Sequence, residues 1–314
     1  MDEPTRILCV DGEREFLQSL EGFFRDEGYE IRTALTGAEG ISLLSGAGPA
    51  QVVIAGTPSP AAEGAEFLRE VRARWPDTVR IGVTGGGEAE SAGSALHEGD
   101  VYKLLPRMCD GEEARAVVEN ALARFRLVRA LREADDATLL SIAQEVELRD
   151  QYTDGHCDRV AAYAVKLAAA LGLSKEATRS IRLAGWLHDC GKIGVPEEIL
   201  NHPGKLSPAQ FAVVRNHSVW GAEVARLARL PDEVVDILLR HHERFDGRGY
   251  PAGMKGQEIP LAARIVTVAD VFDAVTMDRP YARGYDREEA TRVMGVLRGA
   301  SLDPEIVDAL FTAL

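Results

Sequence analysis

The sequence predicts an α/β domain with a doubly wound parallel sheet, followed by an all-α domain. Short β-rich runs alternate with helical segments over about the first 125 residues, and no convincing strand follows from about residue 144 onward. A long helical segment without Gly or Pro lies between the two regions. At 314 residues, the chain is long enough for two domains that each bury a core.

The first region has the alternation expected of βα units. Its β-rich runs are RILCV (6–10), QVVIA (51–55), VRIGVTG (79–85) and DVYKLL (100–105). Segments with helical periodicity, EFLQSLEGFFRDEG and GAEFLREVRARW, lie between the runs. This alternation predicts a mainly parallel sheet with helices on both faces.

A continuous helical stretch runs from Asp110 to about Asp150, with no Gly or Pro after Gly111. We expect it to connect a first domain, 1–126, through a helical linker, 127–143, to a second domain, 144–314. A helix of this length also favours a homodimer in which two copies pair.

Composition limits the classes of partner and compartment. The formal net charge of −14 argues against a nucleic acid polymer or an anionic membrane as partner. The start MDEPTRILCV is not a signal peptide, and no apolar stretch is long enough to cross a bilayer. The four cysteines are far apart and form no CxxC pair, which favours reduced thiols and a cytoplasmic protein.

Five of the seven histidines of the chain lie in the second region and occur with carboxylates in an ordered set of motifs. The motifs are DGH (His156), LHDCGK (His188, Asp189), RNHSVWG (His217), RHHERFDGRGYP (His241, His242) and VADVFDAVT (Asp270, Asp273). Imidazole and carboxylate together suit first-row divalent metals. Neighbouring helix residues point about 100° apart, so an HD or HH pair can address two metals from one turn. Lys192, one turn after the HD pair, would face the same cavity.

Essentially all of residues 144–314 resemble the HD-GYP subgroup of the HD phosphohydrolases. The naming motifs are HDCGK and HHERFDGRGYP, and supporting ones are ELRDQYTDGH, IPLAARIVTVADVFDAVT, DRPY and LDPEIVDALF. That family is known for hydrolysing cyclic di-GMP, so the resemblance implies a cyclic di-GMP phosphodiesterase.

The resemblance implies two divalent metal ions per chain. The mixed nitrogen and oxygen ligand set favours iron, with manganese as the alternative, over zinc. By position, one metal would bind His156, His188 and Asp270, the other would bind His217, His241 and His242, and Asp189 would bridge them. Some relatives bind a third metal through a glutamate four residues before the first histidine. Tyr152 stands there, which favours two metals.

The resemblance also implies the substrate contacts. Lys192 and Arg279 would contact phosphate, and the loop Gly249-Tyr250-Pro251 would hold a guanine or its ribose-phosphate. Relatives often have Lys or Arg after RPY, where this chain has Ala282, and Arg283 would substitute for it.

Two metals sharing a water lower its pKa and hold hydroxide ready near neutral pH. In-line attack on one phosphorus would expel a ribose 3′-oxygen and yield pGpG, with Asp189 and Lys192 as the catalytic residues. Two alternatives stay open: a hydrolase of another cyclic dinucleotide, and a non-enzymatic cyclic di-GMP sensor or adaptor. The second alternative implies a diguanylate cyclase or another signalling protein as partner.

The first region resembles the receiver domain of response regulators through ILCVDGE, GYEIRTALTGAEG, PDTVRIGVTG and GDVYKLL. Asp11 is kept, but Gly12 replaces the second acid and Gly56 stands at the phosphoacceptor position. The switch threonine is Thr84, and Arg107-Met108 stands where Lys-Pro is usual. The resemblance therefore implies a receiver that cannot be phosphorylated, acting as a scaffold or dimerisation domain, or as a switch driven by a partner or ligand.

Overall fold

A computed structural model describes residues 4–56, 62–84, 101–150, 155–277 and 283–313. The chain divides into two compact units, Met1–Arg126 and Leu127–Leu314. Within the described ranges, no helix is long and apolar enough to span a membrane.

The first unit contains a five-stranded parallel sheet with the order β2-β1-β3-β4-β5. The strands are β1 (Arg6–Val10), β2 (Glu30–Ala34), β3 (Val52–Gly56), β4 (Val79–Thr84) and β5 (Lys103–Pro106). The helices are α1 (Arg14–Phe24), α2 (Gly37–Ala47), α3 (Ala62–Arg74) and α4 (Gly111–Glu133). The boundary between the units falls within α4. The predicted doubly wound class is confirmed.

Both faces of the sheet are buried, because successive strand side chains point to opposite faces. Ile7 and Cys9 of β1 belong to a core shared with α1 and α4. Leu8 and Val10 belong to a second core that includes residues of α2 and α3. These two cores explain why β1 is apolar at nearly every position.

The position equivalent to a phosphoacceptor is closed by an ion pair. The Arg107 guanidinium contacts the Asp11 carboxylate at 3.1 Å (NH1–Oδ1) and 2.8 Å (NH2–Oδ2), and Asp11 is only 2% exposed. A Cβ atom added to Gly56, at the end of β3, would lie 1.6 Å from Asp11 Oδ2. Arg107 thus supplies the positive charge next to Asp11, and any larger residue at position 56 would require the paired Asp11 side chain to move.

The second unit is helical over its described residues, which confirms the predicted all-α class. Its helices are α5 (Asp136–Glu147), α6 (His156–Ala170), α7 (Lys175–Leu187), α8 (Glu197–Leu200), α9 (Pro208–Arg215), α10 (His217–Leu227), α11 (Asp232–Arg240), α12 (Leu261–Thr276), α13 (Arg287–Leu297) and α14 (Pro304–Ala313). Two 3₁₀ turns cover Cys190–Gly194 and Gly256–Glu258.

The predicted continuous helix from 110 to 150 is interrupted, which corrects that expectation. The Asp135 carboxylate accepts a hydrogen bond from the Thr138 backbone N–H at 2.9 Å and so begins a new helix, α5. The segment 127–143, expected to be a linker, contributes Leu131 and Leu139 to the core of the second unit.

Candidate metal centre

The seven proposed ligands are brought together in the second unit, and six of them lie at helix ends. His156 and His217 begin α6 and α10, the pairs His188-Asp189 and His241-His242 directly follow α7 and α11, and Asp270 lies within α12. The ends of packed helices therefore set the positions of these six side chains.

Gly191 allows the elements that carry two of these ligands to approach each other. It lies in the 3₁₀ turn directly after Asp189, and a Cβ atom there would lie 1.9 Å from the His217 carbonyl oxygen and 2.5 Å from the Gly221 nitrogen. The glycine of the HDCGK motif thus has a packing role: it lets α10 pack against this turn.

Two groups of potential ligand atoms share the Asp189 carboxylate. One group is Asp189, His217, His241 and His242, and the other is His156, His188 and Asp189. Asp189 Oδ1 lies 3.4 Å from His217 Nε2, and Asp189 Oδ2 lies 3.5 Å from His188 Nε2. Because each oxygen faces a different group, the carboxylate can join two cations.

Ring nitrogens in the first group are unusually close. His217 Nε2 lies 3.3 Å from His241 Nε2 and 3.1 Å from His242 Nε2. Metal–nitrogen bonds of about 2.1 Å place neighbouring ligand atoms roughly 3 Å apart, so the spacing suits three ligands of one ion.

Three of the imidazoles are oriented by the backbone. The Nδ1 atoms of His188, His217 and His241 donate to the carbonyl oxygens of Gly185 at 2.9 Å, Val214 at 2.7 Å and Leu238 at 2.8 Å. Each Nε2 lone pair is then free to face the centre.

His156 is oriented by a side chain instead. It begins α6, and its Nδ1 donates to Asp273 Oδ2 at 2.7 Å. Asp273 is 1% exposed and also accepts from Arg159 Nε at 2.7 Å and Arg159 NH2 at 3.1 Å. A buried ion pair therefore fixes the tautomer and direction of this imidazole.

The residues present fit metal ions. His188 Nε2 is buried and, among the described residues, has no hydrogen-bond partner. A buried polar atom without a partner is costly, and coordination removes that cost. HD-domain phosphohydrolases bind divalent metals, and this His/Asp cluster is the candidate metal-binding site among the described residues of this chain.

The local electrostatics favours the protonation states in which these groups can bind a metal ion. Burial raises the pKa of Asp189, but the charges of Lys192 and the nearby histidines hold it well below the usual range. Burial, together with neighbouring histidines, lowers the pKa of His242 to about 4 and that of His241 well below its ordinary value. An anionic carboxylate and neutral imidazoles are the forms that bind metals.

His156 favours a cation at Nε2. Burial lowers its pKa, but hydrogen bonds with Asp270 and Asp273 outweigh burial and raise the pKa to about 10. Asp270 lies outside the two groups defined above, yet its Oδ1 is 3.3 Å from His156 Nε2. The carboxylate can therefore share a cation with His156.

Lys192 faces the centre as predicted but is already paired. Its ammonium contacts Asp150 Oδ2 at 2.7 Å and Asp189 Oδ2 at 2.8 Å. Burial lowers the pKa of Lys192, but the two carboxylates outweigh it, so the pKa is raised. Lys192 thus stabilises Asp189 as an anion.

The Gly249-Tyr250-Pro251 loop is fixed against the His242 turn. A Cβ atom on Gly249 would lie 2.3 Å from the Arg244 nitrogen, and the Tyr250 N–H donates to the His242 carbonyl at 3.2 Å. The ring centroids of Tyr250 and His242 are 4.9 Å apart. The loop therefore presents its tyrosine beside a candidate ligand.

Glu243 holds the same loop in place through two hydrogen bonds, a role that was not predicted from the sequence. Its buried carboxylate accepts hydrogen bonds from the N–H groups of Ala252 at 2.7 Å and Met254 at 3.0 Å. An acid directly after the HH pair and before a glycine-rich loop was the available signal.

Of the other selected residues, Arg279, Ala282 and Tyr152 lie outside the described ranges, and Arg283 is exposed. Asp273 belongs to the VADVFDAVT motif, but its role in orienting His156 is visible only in the structure. Asp150 was also missed, because its contact with Lys192 joins two segments 42 residues apart.

Comparison with known proteins identifies both parts of the chain. The family model described as an HD domain matches residues 141–306, and that described as a response regulator receiver domain matches residues 7–119. The HD domain is a metal-dependent hydrolase fold.

Three relatives have related names. The cyclic di-GMP phosphodiesterase response regulator RpfG of Xanthomonas campestris is 36% identical over 275 residues, covering 80% of this chain and 72% of the relative. A cyclic di-GMP phosphodiesterase of Thermotoga maritima is 28% identical over 96% of this chain and 89% of its own length. The 3′3′-cGAMP-specific phosphodiesterase 2 of Vibrio cholerae is 35% identical over 59% of this chain and 36% of its own length. The chain therefore belongs to the HD-GYP family of HD-domain proteins, with a response regulator receiver domain preceding its HD domain.

Proposed function

We propose that this protein is a metal-dependent phosphodiesterase that hydrolyses cyclic di-GMP to the linear dinucleotide pGpG. The observation that supports the proposal most is the Asp189 carboxylate, whose two oxygens face separate groups of histidines. Relatives named cyclic di-GMP phosphodiesterase support the substrate class. The match to one of them covers 72% of that relative's length.

In this proposal two metal ions are held by seven residues. His156, His188 and Asp270 would hold one ion, His217, His241 and His242 would hold the other, and Asp189 would contribute to both. We propose iron, with manganese as the alternative, rather than zinc, because the ligands mix imidazole nitrogen and carboxylate oxygen. Such ions supply Lewis acidity and lower the pKa of bound water, which makes a nucleophile available near neutral pH.

Side chains near the centre bind and orient the substrate in this account. Lys192 keeps Asp189 ionised and places a positive charge beside it, where the phosphoryl oxygens gain charge during reaction. Tyr250 offers an aromatic contact for a guanine beside His242. Arg279 and Arg283 are proposed phosphate contacts.

Chromatography of cyclic di-GMP after incubation with anaerobically purified, iron- or manganese-loaded protein tests the proposal. We expect pGpG from the wild-type protein and none from Asp189→Ala. The control Asp308→Ala removes an exposed aspartate paired with Arg298 and should retain full activity. Binding without turnover would instead favour a sensor or adaptor.

Substrate choice among cyclic dinucleotides is tested in the same assay. Because one relative is named a 3′3′-cGAMP-specific phosphodiesterase, 3′3′-cGAMP is supplied in a parallel reaction. Faster cleavage of 3′3′-cGAMP than of cyclic di-GMP would replace the proposed substrate while leaving the proposed chemistry.

We also propose that residues 1–126 act as a regulatory or dimerisation domain without phosphorylation. The Asp11–Arg107 pair and Gly56 support this role, because no carboxylate is present at the phosphoacceptor position. Light scattering at micromolar concentration tests the dimer, and a monomer would contradict it.

A further inference from the structure

Arg215 lies close to the candidate metal centre without having been selected as a site residue. It is the last residue of α9, two positions before His217. Its guanidinium carbon lies 4.5 Å from the centroid of the Tyr250 ring. The same ring lies 4.9 Å from the His242 ring at an interplanar angle of 31°. Tyr250 therefore contacts both a candidate metal ligand and an exposed cation.

The guanidinium of Arg215 keeps its donors available. Within the part of the chain that the structure describes, it makes no ion pair and donates no hydrogen bond, and its side chain is exposed. A cation–π contact positions a guanidinium without using its five N–H donors. Those donors form a planar fork that matches two oxygens of a phosphate.

Three other cations near the centre and the loop are paired with carboxylates. Lys192 contacts Asp150 and Asp189. Two arginines around the loop are also paired: Arg240 with Asp236, and Arg244 with Asp246. Unlike these three, Arg215 has no carboxylate partner among the described residues, so its charge and donors are available to an anionic ligand.

We infer that Arg215 is a substrate-binding residue that donates from its guanidinium to phosphoryl oxygens of the cyclic dinucleotide, while Tyr250 holds it in place. This inference rests on the proposed phosphodiesterase function. A cyclic dinucleotide carries two phosphodiester groups, and one lies away from the bond being cleaved. Arg215 contacts that second phosphate, so it contributes to binding rather than to the chemical step.

Steady-state kinetics of Arg215→Ala with cyclic di-GMP tests the inference. Loss of a charge-assisted hydrogen bond should raise KM on the order of tenfold to hundredfold, with kcat nearly unchanged. Arg215→Lys should recover part of the loss, because an ammonium keeps the charge but not the planar fork. Arg226→Ala, an exposed arginine in the last turn of α10, is the matched control and should behave as wild type.

Hydrolysis of a small phosphodiester distinguishes a loss of substrate binding from damage to the metal centre. Bis(p-nitrophenyl) phosphate has one phosphate, so Arg215→Ala should hydrolyse it at the wild-type rate. An unchanged KM for cyclic di-GMP, or an equal loss on both substrates, would overturn the inference.

Equilibrium binding distinguishes failure of this inference from failure of the proposed function. If the wild-type protein binds cyclic di-GMP but does not cleave it, the function fails, and the ratio of Kd between Arg215→Ala and wild type tests Arg215 alone. If the wild-type protein neither binds nor cleaves cyclic di-GMP, both fail.

Discussion

Asp273 holds the His156 imidazole through a bond of 2.7 Å from Nδ1 to Oδ2. His188, His217 and His241 use backbone carbonyls three residues earlier for the same purpose. His156, the first residue of α6, is oriented differently: a buried carboxylate from α12 accepts the hydrogen bond from its Nδ1.

Asp273→Asn should therefore selectively weaken the binding of one of the two metal ions. The amide loses the charge that pairs with Arg159, so the direction of the His156 ring is less fixed. Changes of this kind cost about 10- to 100-fold in metal affinity. Anaerobic competition with a chelator should leave about one ion per chain when wild type retains two. Equal retention by both proteins would contradict this role, and Asp308→Asn serves as the control.

Gly191→Ala should destabilise the helical unit. Its Cβ would lie 1.9 Å from the His217 carbonyl oxygen, which is backbone and cannot rotate away. We expect a loss of about 2 kcal/mol or more in the free energy of unfolding. Gly295→Ala, in α13 with nothing within 4 Å of the added Cβ, should instead gain about 0.5–1 kcal/mol. Denaturant unfolding measures both, and equal stabilities would refute the close approach.

Glu243→Gln should loosen the tyrosine loop. Two carboxylate oxygens accept from the Ala252 and Met254 amides, and a glutamine side chain has one acceptor oxygen. Hydrogen exchange at those amides should be faster, by about tenfold or more if one bond is lost. Unaltered protection would show that the loop does not depend on this carboxylate. Glu289→Gln, at the start of α13, is the control, because the Glu289 carboxylate accepts a single capping bond from the Asp286 N–H.

Gly56→Asp should not restore phosphorylation of the receiver domain. Asp11 and Arg107 occupy the space that the new side chain needs, since a Cβ atom alone would be 1.6 Å from Asp11 Oδ2. Mass spectrometry after treatment with acetyl phosphate should show no phosphoryl gain. Gly22→Asp, where the helix surface is open, is the control for an added acid. A phosphorylated Gly56→Asp protein would prove this prediction wrong.

The sequence predicted the buried elements better than the edges. The apolar runs gave β1, β3 and β4 to within one residue, apart from Gly85, which lies outside the described ranges. The edge strand β2 was missed because Glu30 and Arg32 break its apolar pattern. The helix break was missed because a cap at Asp135 carries no Gly or Pro.

The candidate ligands could be selected because their motifs are local in the sequence. The residues that orient or support them could not, since their roles depend on tertiary contacts. The bond from Asp273 to His156 spans 117 residues, and that from Asp150 to Lys192 spans 42. A role for Arg215 likewise could not be predicted, because it depends on the tertiary contact between its guanidinium and the Tyr250 ring.

Hydrolysis of cyclic di-GMP in ¹⁸O-water tests the central claim most directly. If the centre at Asp189 activates water, the linear product pGpG will carry one ¹⁸O atom in its new terminal phosphate, as read by mass spectrometry. Intact cyclic di-GMP after incubation with the metal-loaded protein, or pGpG without the label, would contradict the account.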